Sequence, residues 1–173
     1  MRAAAFRRLV TMDETGLLEN LLGFLENRKV PFCVIGGQAV NAYVEPLVSL
    51  DLDIAVAVDD PCSLIEELKG SFQVALHPHS INIEQPGSEL RAQIQTDPRY
   101  AVFVPAAVRK EVLGRSMPVA RLEDVLRGKI WAAADPERRS SKRQKDLADI
   151  ARILESYPHL RPQVPEELLK KLF

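Results

Sequence analysis

The chain has 173 residues, of which 46% are hydrophobic and 27% charged, and its formal net charge is −1. This length suits one domain with a substantial core, and the near-neutral balance excludes a protein that binds polyanions through its overall charge. No apolar run reaches transmembrane length, and the segment from Met1 to Arg8 lacks the apolar region of a signal peptide. Cys33 and Cys62 lie in or beside apolar segments, so we expect a reduced, cytoplasmic protein rather than a disulfide scaffold.

Hydrophobic periodicity predicts a mixed α/β core in the first part of the chain. Leucines at helical spacing predict an amphipathic helix over residues 14–28. Two apolar runs predict strands over residues 32–35 and 52–58, with a short helix over residues 38–43 between them. Turn residues separate the remaining elements of this core, which are a helix over residues 63–68 and short strands over 72–76, 80–85 and 90–96.

The second part of the chain is predicted to be helical. A short apolar segment over residues 101–104 precedes a helix near residues 106–113. Apolar residues at helical spacing predict two long helices over residues 122–134 and 142–155, and a last short helix over residues 166–172. Strands followed by helices in this order indicate an α/β (α+β) fold.

We therefore predict a small mixed β-sheet flanked by helices. Residues 1–118 are expected to form the α/β core with its N-terminal helix, and residues 119–173 a C-terminal helical segment packed on the same domain. The sequence contains neither an internal repeat nor a low-complexity tract, which agrees with a single domain.

The most informative stretch joins the first two predicted strands. Val34 and Ile35 lead directly into Gly36 and Gly37, and Gln38 begins the helix that follows. Glycine permits backbone angles that bring N–H groups close to a ligand, and a helix N-terminus offers free N–H donors that suit phosphate. Gly36, Gly37 and Gln38 are therefore the candidate nucleotide-binding residues, although two glycines after a strand usually form only a turn.

The second predicted strand carries two aspartates on alternate positions. Asp51 and Asp53 are two residues apart, so both side chains leave the same face of the strand, while Leu52 and Ile54 face the core. Neighbouring carboxylates repel one another unless a cation lies between them. Mg²⁺ (or Mn²⁺) prefers a few carboxylate oxygens together with phosphate oxygens and water. Asp51 and Asp53 are therefore the candidate metal ligands and catalytic residues.

This order of motifs resembles the polymerase-beta-like nucleotidyltransferase superfamily. The superfamily pattern is an apolar residue, Gly, then Gly or Ser, a gap of about a dozen residues, and Asp-apolar-Asp/Glu-apolar; the gap here is residues 38–50. Within the superfamily, the segments from Arg121 to Lys129 and from Lys142 to Asp149 resemble the small bacterial AbiE-type toxin nucleotidyltransferases. The resemblance covers roughly residues 30–155.

The resemblance implies the nucleotidyltransferase fold and a reaction. A nucleoside triphosphate such as ATP would bind with Mg²⁺ (or Mn²⁺), and its NMP would be transferred to an acceptor hydroxyl. The resemblance also implies that the protein is a component of a toxin–antitoxin or phage-defence pair, with an antitoxin as a protein partner.

Charged residues of the helical segment also receive roles from the resemblance. Lys129 would contact the nucleotide phosphates in the active cleft, and Lys145 with Asp146 would form a late nucleotide-binding motif. Lys129 interrupts an apolar stripe, as residues of functional sites do, although a lysine at the edge of such a stripe can also extend into water. Asp146 and Asp149 lie off the predicted buried face of their helix, where surface ion pairs are the alternative.

The strand over residues 90–96 has a neutral side chain where the resemblance implies an acid. Active members of the superfamily usually carry a third carboxylate on this strand, and the matching residue here is Gln93. Glutamine offers one oxygen to a metal but cannot act as a base, and Glu84 or Asp97 could substitute. A non-catalytic nucleotide-binding or protein-interaction module on the same fold is therefore the alternative to an enzyme.

The sequence leaves the acceptor open among an RNA end, a protein side chain and a small molecule such as an aminoglycoside. Residues 138–145 contain five basic side chains and no acid, which suits either a solvated loop or the docking of a nucleic-acid backbone. This run slightly favours an RNA or protein acceptor. Trp131 lies off the apolar stripe of its helix, where it either packs on another element or stacks on a base.

Overall fold

The chain folds into a mixed β-sheet with helices packed on it. The structure, a computed structural model, describes residues 16–172. Residues 14–15 of the first predicted helix, the segment from Met1 to Arg8, and Phe173 lie outside the described residues. The described part of the chain contains a seven-stranded sheet flanked by helices and ends in helices, which confirms the predicted fold class.

The helices and strands follow one another along the chain in the predicted order up to residue 95. The helices are α1 (Leu17–Asn27), α2 (Gly36–Asn41), α3 (Pro61–Lys69), α4 (Pro98–Ala101), α5 (Leu122–Ala134), α6 (Ser140–Ser156) and α7 (Glu166–Leu169), with a 3-10 helix over Pro158–Gln163. The strands are β1 (Phe32–Ile35), β2 (Asp51–Val56), β3 (Gln73–His77), β4 (Ser80–Glu84), β5 (Arg91–Gln95), β6 (Val108–Val112) and β7 (Arg115–Val119).

The sheet order is β3-β4-β5-β2-β1-β7-β6, which places β2 near the centre. β2 runs antiparallel to β1 on one side and parallel to β5 on the other. In this register Asp53 lies opposite Ile35 of β1 and opposite Gln93 of β5. The sheet therefore brings the end of the first strand, the two aspartates and the polar face of β5 to one place.

The prediction of a helix near residues 106–113 is wrong. This part of the chain forms the hairpin β6–β7, whose strands pair antiparallel from Val108 opposite Val119 to Val112 opposite Arg115. Leu113 and Gly114 both have positive φ, 50° and 74°, as a tight two-residue hairpin turn requires. The residues of β6 favour a helix locally, so the sequence pattern did not predict this turn. Pairing of β7 with β1 stabilises the strand conformation.

The segment over residues 101–104, predicted as a short apolar segment, forms the end of a short helix and the turns that follow it. α4 covers Pro98–Ala101, and Asp97 caps its start by accepting a hydrogen bond of 2.9 Å from the backbone N–H of Arg99. The turns that follow bury Phe103 and lead into β6.

The core is built from the apolar faces that the sequence pattern indicated. The leucines of the α1 stripe are all buried, namely Leu17, Leu18, Leu21, Leu22 and Leu25. Helices α5 and α6 pack against each other and both contact α2. These contacts hold the helical segment over the sheet face that carries the aspartates. The division of the chain at residue 118 stays a prediction.

Cys33 is buried in β1 and Cys62 is exposed at the start of α3, and both are free thiols. Within residues 16–172, no helix combines the length and the apolar character that crossing a membrane requires.

Candidate active site

A glycine turn and a carboxylate touch each other where β1 ends. Gly36 has φ +66°, a conformation that L side chains rarely adopt, and a Cβ placed on it would lie 2.9 Å from Cγ of Asp53 and closer still to its carboxylate. Only glycine fits this contact without displacing Asp53. The predicted turn and the predicted aspartate pair therefore form one site.

Asp51 and Asp53 face two polar side chains of β5. Asp51 lies opposite Arg91, and a guanidinium nitrogen of Arg91 is 2.9 Å from Oδ1 of Asp51. Asp53 lies opposite Gln93. The residue that the resemblance aligned with a third acid is thus the direct neighbour of Asp53, and it is a neutral amide.

The electrostatic setting of Asp53 favours its interaction with cations. Burial raises the pKa of the Asp53 carboxyl above its usual value, and the nearby charge of Asp51 raises it further. Three cations oppose that shift, Lys129 most strongly, followed by Lys142 and Arg138. A bound cation would relieve the same penalty, because an opposite charge favours the ionised carboxylate.

A cavity of about 220 Å³ lies between this sheet face and the helices α5 and α6. Five of the predicted site residues line it, namely Gly36, Asp51, Asp53, Lys129 and Asp146. Arg138 and Lys142, which belong to the basic run, line it as well. The structure therefore brings carboxylates from the sheet and cations from the helices to the same space.

Lys129 is held in ion pairs rather than extended into water. Its Nζ lies 3.0 Å from Oδ1 of Asp146 and 2.7 Å from Oδ2 of Asp149. Burial alone would lower the pKa of Lys129, but the carboxylates of Asp149 and Asp146 hold it above its usual value. The ammonium is therefore a fixed positive charge beside the cavity.

The placement of Asp146 differs from the sequence interpretation. Asp146 was expected off the buried face of its helix, but it is only 2% exposed. Its second oxygen accepts a hydrogen bond of 2.9 Å from Arg138, so Asp146 bridges Lys129 and Arg138. Burial follows from the packing of α5 on α6, which covers this side of the helix.

Three predicted nucleotide-binding residues lie outside the cavity lining. Gln38 is buried, and its Nε2 donates to the carbonyl oxygen of Ser49 at 2.8 Å, which ties α2 to the segment before β2. Gly37 adjoins the turn but does not line the cavity. Lys145 is exposed on α6 and points no group into the cavity.

The basic run over residues 138–145 has divided roles. Arg138 and Lys142 line the cavity. Arg143 donates to the carbonyl oxygens of Asp135, Pro136 and Arg138 at 2.8, 3.3 and 3.2 Å, so it closes the loop between α5 and α6. The sequence showed the run of positive charge, but helix geometry decides which members face the site.

Aromatic side chains form one wall that the sequence analysis did not identify. Tyr100 and Phe103 line the cavity. Trp131 stacks on Phe103 with ring centroids 5.6 Å apart and meets Tyr100 edge to face at 5.4 Å. Trp131 does not itself line the cavity, so the structure favours packing over base stacking for this residue.

The donor set can be compared with the needs of a divalent cation. No three histidine, cysteine, aspartate or glutamate side chains of residues 16–172 group together as metal ligands. Asp51 and Asp53 offer carboxylate oxygens and Gln93 an amide oxygen at the same edge of the sheet. This set fits Mg²⁺ or Mn²⁺ that completes its coordination with substrate phosphates and water.

Solved structures share this fold. No protein-family model matches the chain, and no curated protein matches it. The lincosamide antibiotic adenylyltransferase LnuA, with lincomycin bound, is 14% identical with a TM-score of 0.52 over 83% of this chain and 99% of its own. The antibiotic-resistance factor ANT(2'')-Ia is 13% identical with a TM-score of 0.54 over 90% of this chain and 94% of its own.

A third similar structure is an antigenic nucleotidyltransferase-like protein from Paracoccidioides brasiliensis, which is 18% identical with a TM-score of 0.51 over 84% of this chain and 77% of its own. The chain has the nucleotidyltransferase fold. At these identities the likeness concerns the fold, and the closer resemblance to AbiE-type proteins stays a prediction.

Proposed function

We propose that this protein is a nucleotidyltransferase that moves the NMP group of a nucleoside triphosphate to an acceptor hydroxyl. The observation that carries the proposal is the contact between the Gly36 turn and Asp53, with Asp51 beside it, inside a cavity lined by cations from two helices. The shared fold with an antibiotic adenylyltransferase supports the same reaction class.

Each part of the cavity suits one part of the nucleotide. The backbone at Gly36 can approach a phosphate closely, since no Cβ stands in the way. Lys129, Arg138 and Lys142 supply positive charge for the triphosphate. Mg²⁺ (or Mn²⁺) on Asp51 and Asp53 would neutralise phosphate charge and polarise the α-phosphorus.

In the proposed reaction the acceptor hydroxyl attacks the α-phosphorus. A new P–O bond forms as the bond to the pyrophosphate breaks, and the proton of the hydroxyl passes to water. The cations around the phosphates stabilise the charge on the leaving group. The chain contributes mainly position and electrostatic stabilisation, because it makes no covalent bond to the substrate.

Two observations support a small-molecule acceptor. Two of the five basic residues in the run line the cavity and a third closes a loop, so the run does not present all of its charge to a nucleic-acid backbone. Fewer basic side chains of this run are therefore available to contact the phosphates of an RNA. LnuA with lincomycin, and ANT(2'')-Ia in complex with adenylyl-2''-tobramycin, are similar in fold. We therefore favour a hydroxyl-bearing small molecule over an RNA end or a protein.

Gln93 supports a second candidate, a nucleotide-binding protein that does not catalyse transfer. Its amide lies directly opposite Asp53, where a carboxylate would add charge and a base. Both candidates bind a triphosphate, but only the first releases pyrophosphate. A toxin role, an antitoxin partner and a cytoplasmic location stay predictions.

The test is label transfer. Purified protein is incubated with each α-phosphate-labelled nucleoside triphosphate and Mg²⁺, and separately with total tRNA, a protein extract and a panel of aminoglycosides and lincosamides. We expect a labelled product that disappears in the double variant Asp51→Asn, Asp53→Asn. The control variant Asp59→Asn, Glu155→Gln removes the same charge from two exposed positions outside the cavity lining and should keep activity.

The outcomes separate the candidates. Transfer that persists in the Asp51, Asp53 variant would exclude the assigned carboxylates. Triphosphate binding without any labelled product or pyrophosphate release would support the non-catalytic candidate.

A further inference from the structure

We infer that the cavity binds one divalent cation with each triphosphate, because the neutral Gln93 stands beside Asp53 where a second cation would need a carboxylate. The inference rests on the proposed function and refines it by assigning the charges of the site. Its basis is the pairing of β2 with β5, where each aspartate meets a different kind of side chain.

Arg91 already compensates one of the two aspartates. It is the register partner of Asp51, and its guanidinium nitrogen lies 2.9 Å from Oδ1. The Arg91 and Asp51 side chains are 63% and 37% exposed, so this pair adds little to the stability of the fold. A guanidinium stays protonated at every physiological pH. Its effect is therefore a permanent positive charge at the position of one metal ligand.

The β5 neighbour of Asp53 is the neutral Gln93, so Asp53 has no ion-pair partner on β5, whereas Asp51 has Arg91. On its other side Gln93 faces Asn82 of β4, which is neutral as well. The two aspartates and Arg91 together carry one net negative charge. That charge and the substrate phosphates match one divalent cation, whereas a second would meet a neutral amide and an occupied carboxylate.

Other acids of the cavity do not supply the missing charge. Asp124 is ion-paired with Arg121 and Arg127 at 3.2 and 3.1 Å. Asp146 is paired with Lys129 and Arg138. Glu84 lines the cavity from the end of β4, but β5 lies between β4 and β2, so the backbones of β4 and β2 are about 10 Å apart.

Lysines and arginines on the opposite wall add to the same effect. Lys129 and Lys142 face the cavity from α5 and α6, and Arg138 faces it from the loop between them. Asp146 and Asp149 offset two of these three charges. The remaining positive charge repels a second cation and attracts the phosphates.

The test counts cations independently of catalysis. Protein is dialysed to equilibrium with Mn²⁺ and each of the four α,β-methylene ribonucleoside triphosphate analogues in turn, and the retained Mn²⁺ and analogue are both measured. We expect one Mn²⁺ per retained analogue for the natural chain. Gln93→Glu places a carboxylate beside Asp53 without changing side-chain size, and we expect it to retain two.

Gln95→Glu is the matched control. Gln95 is on the same face of β5 and lines the same cavity, but its neighbour on β2 is Ala55. Its oxygen accepts the backbone N–H of Asp97 at 3.0 Å, which a carboxylate can do equally well. This variant adds the same charge and should still retain one Mn²⁺. Thermal unfolding of all three proteins verifies that each is folded.

Each result has one meaning. Two Mn²⁺ per analogue in the natural chain, or one in Gln93→Glu, overturns the inference and leaves the proposed function intact. Two Mn²⁺ per analogue in both Gln93→Glu and Gln95→Glu would show that any added negative charge recruits a second cation. That result overturns the specific role of Gln93 beside Asp53. No retained analogue with any base overturns the proposed function itself.

Discussion

Lys129 on α5 and Asp146 on α6 form a buried ion pair, with Nζ 3.0 Å from Oδ1, that joins the two helices beside the cavity. The same carboxylate also binds Arg138, so Asp146 holds two of the cations that we assign to the triphosphate. Asp146 is therefore a positioning residue, because both of its oxygens are engaged by side chains of the protein.

Replacing Asp146 with asparagine should destabilise the fold and loosen the site together. The amide keeps the shape but leaves Lys129 and Arg138 with less negative charge in a buried setting. Since Lys129 retains Asp149, we expect a loss of about 1–3 kcal/mol in the free energy of unfolding, measured by urea denaturation. Glu155→Gln, an exposed change on the same helix, should stay within about 0.5 kcal/mol. An unchanged Asp146→Asn protein would contradict the role of the pair.

Lys129→Met should weaken triphosphate binding more than monophosphate binding. Methionine keeps the apolar stem of the side chain but removes the ammonium, which we place near the outer phosphates. We expect about a tenfold loss for the triphosphate and a much smaller loss for the monophosphate, measured by calorimetry with the α,β-methylene analogue that binds most tightly. Equal losses for both ligands would indicate that Lys129 only supports the fold.

Gly36→Ala should disrupt both stability and binding. Its φ of +66° is unfavourable for alanine, and the new Cβ would collide with the Asp53 carboxylate. We expect a loss of about 2 kcal/mol or more in unfolding free energy and no measurable triphosphate binding. Gly23→Ala is the matched control, because Gly23 lies within α1 with no atom within 4 Å of the new Cβ. It should gain about 0.5–1 kcal/mol, and a similar gain at Gly36 would contradict the contact.

Arg143→Gln should differ from Lys145→Gln, although both remove one charge from the same basic run. Arg143 binds carbonyl oxygens at and beyond the C-terminal end of α5, where a cation is favourable. We expect its loss to cost about 1 kcal/mol of unfolding free energy and to lower triphosphate affinity, since the loop carries Arg138. The exposed Lys145 should change stability by less than about 0.5 kcal/mol. Equal effects would show that only the net charge of the run matters.

Local patterns predicted the elements that carry the chemistry. The alternation of Asp51 and Asp53 is a property of a few consecutive residues, and β2 carries both as expected. The two glycines follow β1 as expected, but they begin α2 rather than precede it. The hairpin β6–β7 escaped prediction, because its strand residues favour a helix locally and only pairing with β1 selects the strand.

By itself the sequence determined that Asp51 and Asp53 leave one face of a strand, because side chains alternate along a strand with a fixed period of two. Tertiary structure alone decided that Asp146 is buried against Lys129 and that Arg91 stands against Asp51. Those partners are distant in the chain or on separate strands. Their meeting depends on how α5 packs on α6 and on the register of β5 beside β2, and both are set by the core as a whole.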